Sequence, residues 1–254
     1  MTAGIRNPGD FCWINMLTPK PDEALEFYGA LLGWTFGEIP GMGYSIKAGG
    51  KDVGGLFDLE GPNTPPGTPP LIGVMVKVES ADAAAARVNA LGGRAQPPFD
   101  IMEQGRMAVC FDPNGANLDV WEARKGQGME ADSEQHGTPS WFETLTTDTA
   151  RATQFYAALF GWTAESKALA GTTYTVFSLG GRPIAGLMAI PPEMGPAPPH
   201  WGTYFTVREV EAAVRDAKPL GGTVCVPVRA LEGIGRFAGI ISPQGVMFYV
   251  IQYG

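Results

Sequence analysis

The chain contains very little histidine and cysteine. Its 254 residues include two histidines, His136 and His200, and three cysteines. Histidine and cysteine supply the ligands of zinc centres and of many iron centres, so the inventory for such a centre is nearly empty. Cys12, Cys110 and Cys225 are widely spaced and form no CxxC pair. This pattern argues against a disulfide framework and indicates reduced thiols in a cytosol.

Positive charge and long apolar runs are also scarce. The 18 Lys and Arg residues face 26 Asp and Glu residues, which gives a formal net charge of −8. That charge argues against nucleic acid or an anionic membrane as the partner. No apolar run reaches the about 18 residues of a membrane span, and no signal peptide opens the sequence. We therefore expect a cytoplasmic globular protein.

The most informative feature present is a stretch that occurs twice. WINMLTPKPDEALEFYGALLGW occupies 13–34, and WFETLTTDTARATQFYAALFGW occupies 141–162. Because the two copies lie 128 positions apart (141 − 13), they indicate a duplicated domain rather than a short-repeat solenoid. We predict domains at 1–124 and 137–254, each burying its own core, with the polar segment 125–136 as a linker.

Alternation and helical spacing give the order of elements in each half of a domain. The first strand is predicted to carry four residues on one face: Phe11, Trp13, Asn15 and Leu17. A helix follows, whose apolar stripe holds core aromatics in both copies: Phe27, Tyr28, Phe155 and Tyr156. The predicted helix N-caps are Thr18, Ser80 and Asp148. Three short strands complete each half, and proline-rich segments at 61–70 and 191–199 join the halves.

Several motifs together resemble the vicinal-oxygen-chelate superfamily of glyoxalase I, extradiol dioxygenases, and fosfomycin- and bleomycin-resistance proteins. They are the FY…LFGW helix end, the LGG at each second helix, the GR before a strand, and DPNGANLDVWE. More narrowly, the chain resembles tandem glyoxalase-like proteins of actinobacteria, some of whose relatives accompany aromatic antibiotic pathways. The resemblance implies an α+β fold: two tandem domains, each of paired βαβββ modules whose curved sheet forms a cup. Whether a cup forms within one domain or across both stays open.

The resemblance also implies where a divalent metal would sit. The family's ligands are His, Gln or Glu on the first strand of each module and Glu on the last strand of the domain. Counting from the motifs, these positions fall on Trp13, Gly73 and Asp119, and on Trp141, Gly202 and Tyr249. Of these, only Asp119 could bind a metal well. A slip of two residues would bring His200 beside Glu143 as an alternative site. We predict no metal and no cofactor.

The predicted inward faces of the cups carry aromatic and polar residues by turns, as small-molecule sites do. In the first cup they are Trp13, Asn15, Met75, Asp119 and Trp121. In the second cup they are Trp141, Glu143, Tyr204, Met247 and Tyr249. The aromatic residues could equally be ordinary core. Arg106 and Arg236 could bind an anionic group of a ligand, or could be strand-end charges in solvent.

Glu143 is the candidate catalytic residue. A carboxylate among aromatic side chains is desolvated, which raises its pKa and suits a general base. The alternatives are that Glu143 faces water in an open cup or pairs with Arg236. Asn15 holds the equivalent place in the first cup and cannot act as a base, so the two cups are not equivalent.

Three functions fit these patterns. The leading hypothesis is a metal-independent protein, a monomer or homodimer, that binds or processes a small aromatic metabolite, with a link to antibiotic biosynthesis or resistance. The second is a glyoxalase-type lyase or isomerase that uses Glu143 as its base. The third is a non-catalytic interaction protein whose cups are filled by their own side chains.

Overall fold

Two curled half-barrel sheets, one from each copy of the repeat, form the frame of the molecule. The computed structural model describes residues 6–61, 64, 67–169 and 171–254. The proline connector at 61–70 therefore lies partly outside the described residues. None of the helices in the described part of the chain combines the length and the apolar composition needed to cross a membrane.

In the described residues, the first domain contains two helices and nine strands. In chain order they are β1 (Phe11–Thr18), α1 (Pro21–Leu32), β2 (Thr35–Ile39), β3 (Gly43–Ala48), β4 (Lys51–Asp58), β5 (Leu71–Val78), α2 (Ala81–Ala90), β6 (Arg94–Ala95), β7 (Phe99–Ile101), β8 (Gly105–Phe111) and β9 (Asn117–Ala123). The first strand after α2 is in two pieces, β6 and β7. Pro97 and Pro98 stand between these two pieces, and proline cannot donate to a strand ladder.

The second domain repeats this order. Its elements are β10 (Pro139–Thr146), α3 (Thr149–Phe160), β11 (Thr163–Leu169), β12 (Thr172–Leu179), β13 (Arg182–Ala189), a 3₁₀ turn (Pro192–Met194), β14 (His200–Thr206), α4 (Val210–Ala217), β15 (Thr223–Leu231), β16 (Gly235–Ile241) and β17 (Met247–Tyr253). The βαβββ order and the α+β class are thus confirmed.

Each sheet is built from one domain, which answers the question that the sequence left open. The first sheet runs β2-β3-β4-β1-β5-β9-β8-β6, with β7 also paired to β8. The second runs β11-β12-β13-β10-β14-β17-β16-β15. The first strands of the two modules pair antiparallel at the centre of each sheet, as β1 with β5 and β10 with β14. Each cup therefore has one module on either side of its midline.

Helix starts agree with two of the three predicted caps. The side chain of Ser80 accepts a hydrogen bond from Ala83 N, and that of Asp148 accepts one from Arg151 N. The prediction for Thr18 is wrong. The N-cap of α1 is Lys20, whose side chain has no acceptor and makes no cap hydrogen bond, and Pro21 occupies the first helical position. Proline there has no N–H that needs a partner.

A β-bulge corrects the predicted face of Phe11. The pairing of β1 with β5 shifts between Phe11 and Trp13, so strict alternation fails at this point. Phe11 is fully buried in the core between the sheets and stacks on Phe142 with ring centroids 4.1 Å apart. Trp13 also contacts the cluster that lines the first cup. The bulge thus separates a core aromatic from a cup aromatic two residues later.

One core serves both domains, so the expectation that each domain buries a separate core is wrong. A continuous apolar cluster includes residues from all four helices and from both sheets. The ring of Tyr28 on α1 lies 5.4 Å from that of Phe248 on β17, and Trp34 lies 5.1 Å from Phe205 on β14. Phe27, Tyr28, Phe155 and Tyr156 are buried in this core, as predicted. The cups occupy the other face of each sheet.

The segment at 125–136 has no helix or strand, but part of it packs closely on the first domain. Met129 and Ala131 are buried, and Met129 N donates to Cys12 O. Gly126 O accepts the indole N–H of Trp121 at 2.8 Å. The side chain of Gln127 accepts a hydrogen bond from Lys77 Nζ at 3.0 Å. This segment therefore covers one end of the first cup.

Candidate functional site

The predicted inward residues lie on the cup face of each sheet. Met75 and Trp121 form a buried cluster with Cys12 and Met107, against which Trp13 packs. In the second cup, Tyr204 and Tyr249 form a buried cluster with Ile251, against which Trp141, Phe237 and Met247 pack. The two clusters are separate from the shared core, as expected for surfaces that face away from the helices.

Glu143 is the polar centre of the second cup. Only 6% of its surface is exposed. Its Oε1 accepts the hydroxyl proton of Tyr204 at 3.0 Å, and Tyr174 acts electrostatically on its carboxyl group. The indole N–H of Trp141 donates to the hydroxyl oxygen of Tyr174 at 3.0 Å. Side chains from strands β10, β12 and β14 thus form two hydrogen-bonded pairs, Tyr204 with Glu143 and Trp141 with Tyr174.

Aromatic rings surround these two pairs. Tyr204 stacks on Tyr249 with centroids 4.4 Å apart and an interplanar angle of 12°. Phe237 on β16 tilts against both rings, at 5.9 Å and 6.4 Å. This geometry follows from the register, because Tyr204 on β14 lies directly opposite Tyr249 on β17 in a parallel pair. Stacked and mostly buried rings therefore stand beside the carboxyl group of Glu143 in this cup.

Gly186 makes room for Tyr174. A Cβ placed on Gly186 would lie 1.8 Å from the Tyr174 hydroxyl oxygen and 2.4 Å from its Cζ. Gly186 pairs with Glu143 across β13 and β10. Any side chain at this position would push Tyr174 away from both Trp141 and Glu143.

Burial governs the ionisation of the second cup. Desolvation raises the pKa of Glu143 above its ordinary value, while the hydroxyl groups of Tyr174 and Tyr204 lower it and offset part of that rise. Desolvation also raises the pKa of Tyr174, Tyr204 and Tyr249, and the neighbouring Glu143 carboxylate raises each further. The three tyrosines therefore stay protonated at neutral pH.

The first cup has its own buried carboxyl group, Asp119 on β9. It is 6% exposed, and desolvation raises its pKa to about 7. Two amide groups partly offset this rise. Asn117 Nδ2 approaches Oδ1 at 3.4 Å, and Asn15 Nδ2 approaches Oδ2 at 3.5 Å. These hydrogen bonds are long, so they stabilise the carboxylate only weakly.

The two cups carry their carboxyl groups on different strands. Asn15 pairs with Gly73 in the first sheet, as Glu143 pairs with Gly202 in the second. Asp119 pairs with Met75, as Tyr249 pairs with Tyr204. The first cup therefore has an amide where the second has its acid, and an acid where the second has a phenol. The predicted inequivalence of Asn15 and Glu143 agrees with this arrangement.

The structure does not bring Arg106 or Arg236 into a cup. Arg106 alternates with the core residues Ala108 and Cys110 on the helix side of β8, and it pairs with Asp82 of α2 at 2.8 Å. Arg236 lies on the corresponding side of β16 and pairs with Glu211 of α4. Because both arginines lie on the helix side of the sheet, we correct the prediction that they bind a ligand in a cup. The alternative pairing of Arg236 with Glu143 is also absent from the described contacts.

Comparison with known proteins decides the family. The family model "Glyoxalase/Bleomycin resistance protein/Dioxygenase superfamily" matches residues 11–120 and again residues 139–248. The chain belongs to this superfamily. The two matches correspond to the two copies of the repeat, and they confirm the resemblance that the sequence motifs indicated.

Relatives of this superfamily member span almost its whole length. It is 34% identical over 247 residues to CFP32 of Mycobacterium tuberculosis (strain CDC 1551 / Oshkosh), which is named as a candidate glyoxylase, covering 94% of this chain and 93% of the relative. It is 32% identical over 260 residues to the anthracycline biosynthesis protein DnrV of Streptomyces peucetius, covering 96% of this chain and 94% of the relative.

Solved structures share the fold at low identity. The Mn(II)-bound glyoxalase of Novosphingobium aromaticivorans superposes with a TM-score of 0.67 at 15% identity, covering 99% of this chain and 83% of that protein. The 2,3-dioxygenase LapB of Pseudomonas sp. KL28 superposes with a TM-score of 0.65 at 15% identity, covering 100% and 94%. At such identities the likeness concerns the fold alone.

The donor set of the superfamily member does not fit the metal that its fold family implies. The three ligand positions of the first cup hold Trp13, Gly73 and Asp119, and those of the second hold Trp141, Gly202 and Tyr249. One carboxylate per cup cannot hold a divalent ion against water. Among the described residues, no three His, Cys, Asp or Glu side chains lie close enough to share a metal ion.

His200 does not complete a metal site with Glu143. His200 lies opposite Leu145 across β14 and β10, whereas Glu143 lies opposite Gly202. The Nδ1 atom of His200 contacts Pro198 O at 2.8 Å. The slip of two residues that would align His200 with Glu143 therefore does not occur.

Sequence reasoning missed Tyr174, Asn117 and Phe237. Asn117 lies two residues from Asp119, so alternation along β9 could have placed it in the first cup. Phe237 could not be placed in this way, because alternation does not tell which side of β16 faces the cup. Tyr174 offered a weaker signal. Its strand alternates, but only the pairing of β12 with β13 tells which face of the strand looks into the cup.

Proposed function

We propose that this superfamily member binds or processes a small aromatic metabolite in its second cup, and that it does so without a metal centre. The observation that carries the proposal is the set of two hydrogen-bonded pairs, Tyr204 with Glu143 and Trp141 with Tyr174, beside stacked aromatic rings. Flat aromatic walls with a few convergent polar groups are typical of small-molecule sites. The stack of Tyr204 and Tyr249 would extend naturally onto a planar ligand.

Two further observations support the aromatic and metal-independent parts of the proposal. DnrV, a relative over nearly the full length, is named for anthracycline biosynthesis, and anthracyclines are polycyclic aromatic compounds. The metal-ligand positions hold Trp, Gly and Tyr except at Asp119. Direct contact between cup and ligand would then replace metal chelation as the source of affinity.

Tryptophan fluorescence tests the proposal. Trp141 lies at the cup and bonds to Tyr174, so a ligand there should quench or shift its emission. Titration with a panel of polycyclic aromatic metabolites should give a saturable change that is lost in Trp141→Phe. The same change should persist in Trp13→Phe, because Trp13 belongs to the first cup. If no compound in the panel changes the emission, the proposal fails in favour of the interaction protein with filled cups.

A second function is favoured by one specific observation, the raised pKa of the buried Glu143. A carboxyl group with a raised pKa is a better base, so Glu143 would remove a proton from a thiol hemithioacetal in a lyase or isomerase reaction. Turnover of such a substrate that is lost in Glu143→Gln but kept in Asn15→Ala would support this function. Full activity in Glu143→Gln would remove Glu143 from the mechanism.

We also propose that the protein is cytoplasmic and forms a monomer or a homodimer. Three free cysteines, two of them buried, suit the reducing cytoplasm. We expect a monomer or a homodimer, which size-exclusion chromatography with light scattering would measure directly.

A further inference from the structure

We propose that the ligand of the second cup carries a protonated amine, with Glu143 as its counter-ion and the surrounding rings as its cage. This inference rests on the proposed function, because it specifies the class of aromatic metabolite that the cup would select. Three features of the second cup carry it: an acid without a described cationic partner, free acceptor positions on that acid, and aromatic faces beside it.

The first feature is that Glu143 has hydroxyl partners but no cationic one among the described ion pairs. Both Tyr204 and Tyr174 are neutral. The arginine that the sequence suggested, Arg236, lies on the helix side of the sheet with Glu211. A buried carboxylate without a cation is costly, and a bound cation removes that cost. A ligand ammonium would supply the charge that this cup lacks.

The second feature is the direction of the hydrogen bonds. Trp141 N–H donates to the Tyr174 oxygen, and the hydroxyl group of Tyr204 donates to Glu143. Both of these donors are therefore in use. A carboxylate has about four lone-pair positions, so Glu143 can still accept. Glu143 thus offers an acceptor that suits an N–H group of a ligand.

The third feature is aromatic. Tyr204, Tyr249 and Phe237 contact one another beside the carboxyl group, and Trp141 packs against their cluster. Aromatic faces attract cations through their quadrupoles, and ammonium ligands are commonly recognised in such cages. The combination of an anionic group and a cage distinguishes an amine from a neutral aromatic compound of the same shape.

The first cup lacks this combination. The cup face of β5 carries a cation of its own, Lys77, two residues after Met75. Lys77 is 8% exposed and donates to Gln127. Asp119 is approached by the amide groups of Asn15 and Asn117. The aromatic residues of this cup, Trp13, Phe99 and Trp121, make no ring–ring contact among the described residues, unlike those of the second cup. A cationic ligand should therefore choose the second cup.

Isothermal titration with three probes that share one ring system tests the inference. The probes are 1-naphthylmethylammonium, 1-naphthalenemethanol and 1-naphthoate, at pH 7.5. The ammonium should bind roughly tenfold to hundredfold more tightly than the alcohol, the range expected for a charged hydrogen bond, and the naphthoate should bind least. In Glu143→Gln the affinity of the ammonium should fall to that of the alcohol, which should itself change little.

Glu211→Gln is the matched control. It removes the same charge from the same domain, but on the opposite face of the sheet, so it should leave the preference for ammonium intact. Equal binding of ammonium and alcohol by the wild-type protein would overturn the amine inference and leave aromatic binding standing. An unchanged ammonium affinity in Glu143→Gln would overturn it as well. Binding of none of the probes would count against the amine and against the proposed function together.

Discussion

The hydroxyl group of Tyr204 donates to Glu143 Oε1 at 3.0 Å while its ring stacks on Tyr249 at 4.4 Å. One side chain thus joins the acid of the second cup to its aromatic wall. The hydrogen bond favours the charged form of Glu143, whereas burial favours the neutral form. The balance between these two effects decides how readily Glu143 binds a cation or removes a proton.

Tyr204→Phe should destabilise the protein and raise the pKa of Glu143 further. The variant keeps the ring stack but removes one donor from a buried carboxyl group, a loss worth about 1–3 kcal/mol. Urea unfolding at pH 7.5 measures this loss in the free energy of unfolding. Tyr249→Phe is the control, because it keeps both the stack and the bond between Tyr204 and Glu143. Equal losses in the two variants would mean that the hydrogen bond contributes nothing measurable.

Asp119 should make the protein less stable as the pH rises from about 4 to about 7. In the folded protein its pKa is about 7, against 3.8 for the ordinary group, so in this range the folded state holds a proton that the unfolded state releases. Stability is therefore lost as the pH rises, by up to roughly 4 kcal/mol.

Asp119→Asn isolates this effect because it cannot ionise. Relative to wild type, the variant should gain stability steadily between pH 4.5 and pH 7.5 in urea titrations. The gain should level off above the folded pKa of about 7. A difference between the two proteins that does not vary with pH would show that Asp119 is ionised throughout the range.

The order of elements could be predicted because the sequence is locally consistent. Alternation, helix stripes and glycine-bearing turns all indicated βαβββ, and the duplication provided each pattern twice. The position of Phe11 could not be predicted, since a bulge depends on how β1 pairs with β5 rather than on β1 itself. No local sequence pattern predicted the shared core either. It arises because Tyr28 and Trp34 reach rings of the other domain.

The cup residues on central strands could be placed from alternation, as Glu143 and Asp119 show. The arginines could not, because alternation alone does not reveal which side of β8 and β16 carries the helices. Asp82 and Glu211 on those helices hold Arg106 and Arg236 on that side. Tyr174 escaped prediction for the related reason that its strand lies two positions from the centre of the sheet.

Gly186→Ala should disrupt the second cup more than the addition of one methyl group usually would. The added Cβ would overlap the Tyr174 hydroxyl group, so Tyr174 should lose its hydrogen bond to Trp141 and move away from Glu143. We expect a lower melting temperature and weaker binding of any cup ligand. Gly73→Ala is the control, because a Cβ there meets only ordinary contacts at 3.4 Å or more. Equal melting temperatures for the two variants would contradict the tight fit of Tyr174 over Gly186.

The purified protein should contain far less than one equivalent of zinc, nickel, iron or manganese per chain. The reason is the donor set, which offers one carboxylate, Asp119, at the ligand positions of the first cup and none at those of the second. Plasma mass spectrometry on untagged protein purified without chelators measures the content. A chelator should then leave the melting temperature unchanged. Close to one equivalent of a metal would contradict this prediction and make Glu143 and His200 the first ligands to substitute.

The two domains should unfold as one unit. Phe11 stacks on Phe142 between the sheets, and the hydroxyl of Tyr156 in the second domain donates to Asp112 Oδ2 in the first at 2.9 Å. Scanning calorimetry should therefore show one transition, with equal calorimetric and van't Hoff enthalpies. Two resolved transitions would mean that each domain is stable without the other.

Phe142→Ala tests the same coupling from within the core. Removing this ring should cost about 3–5 kcal/mol, as other large core truncations do. Because Phe142 is buried against a residue of the first domain, the single transition should move to lower temperature as a whole. Met42→Ala, at a side chain that is 40% exposed, should leave it in place. If Phe142→Ala instead splits the transition, so that part of the chain melts at the original temperature, the first domain holds together without the second.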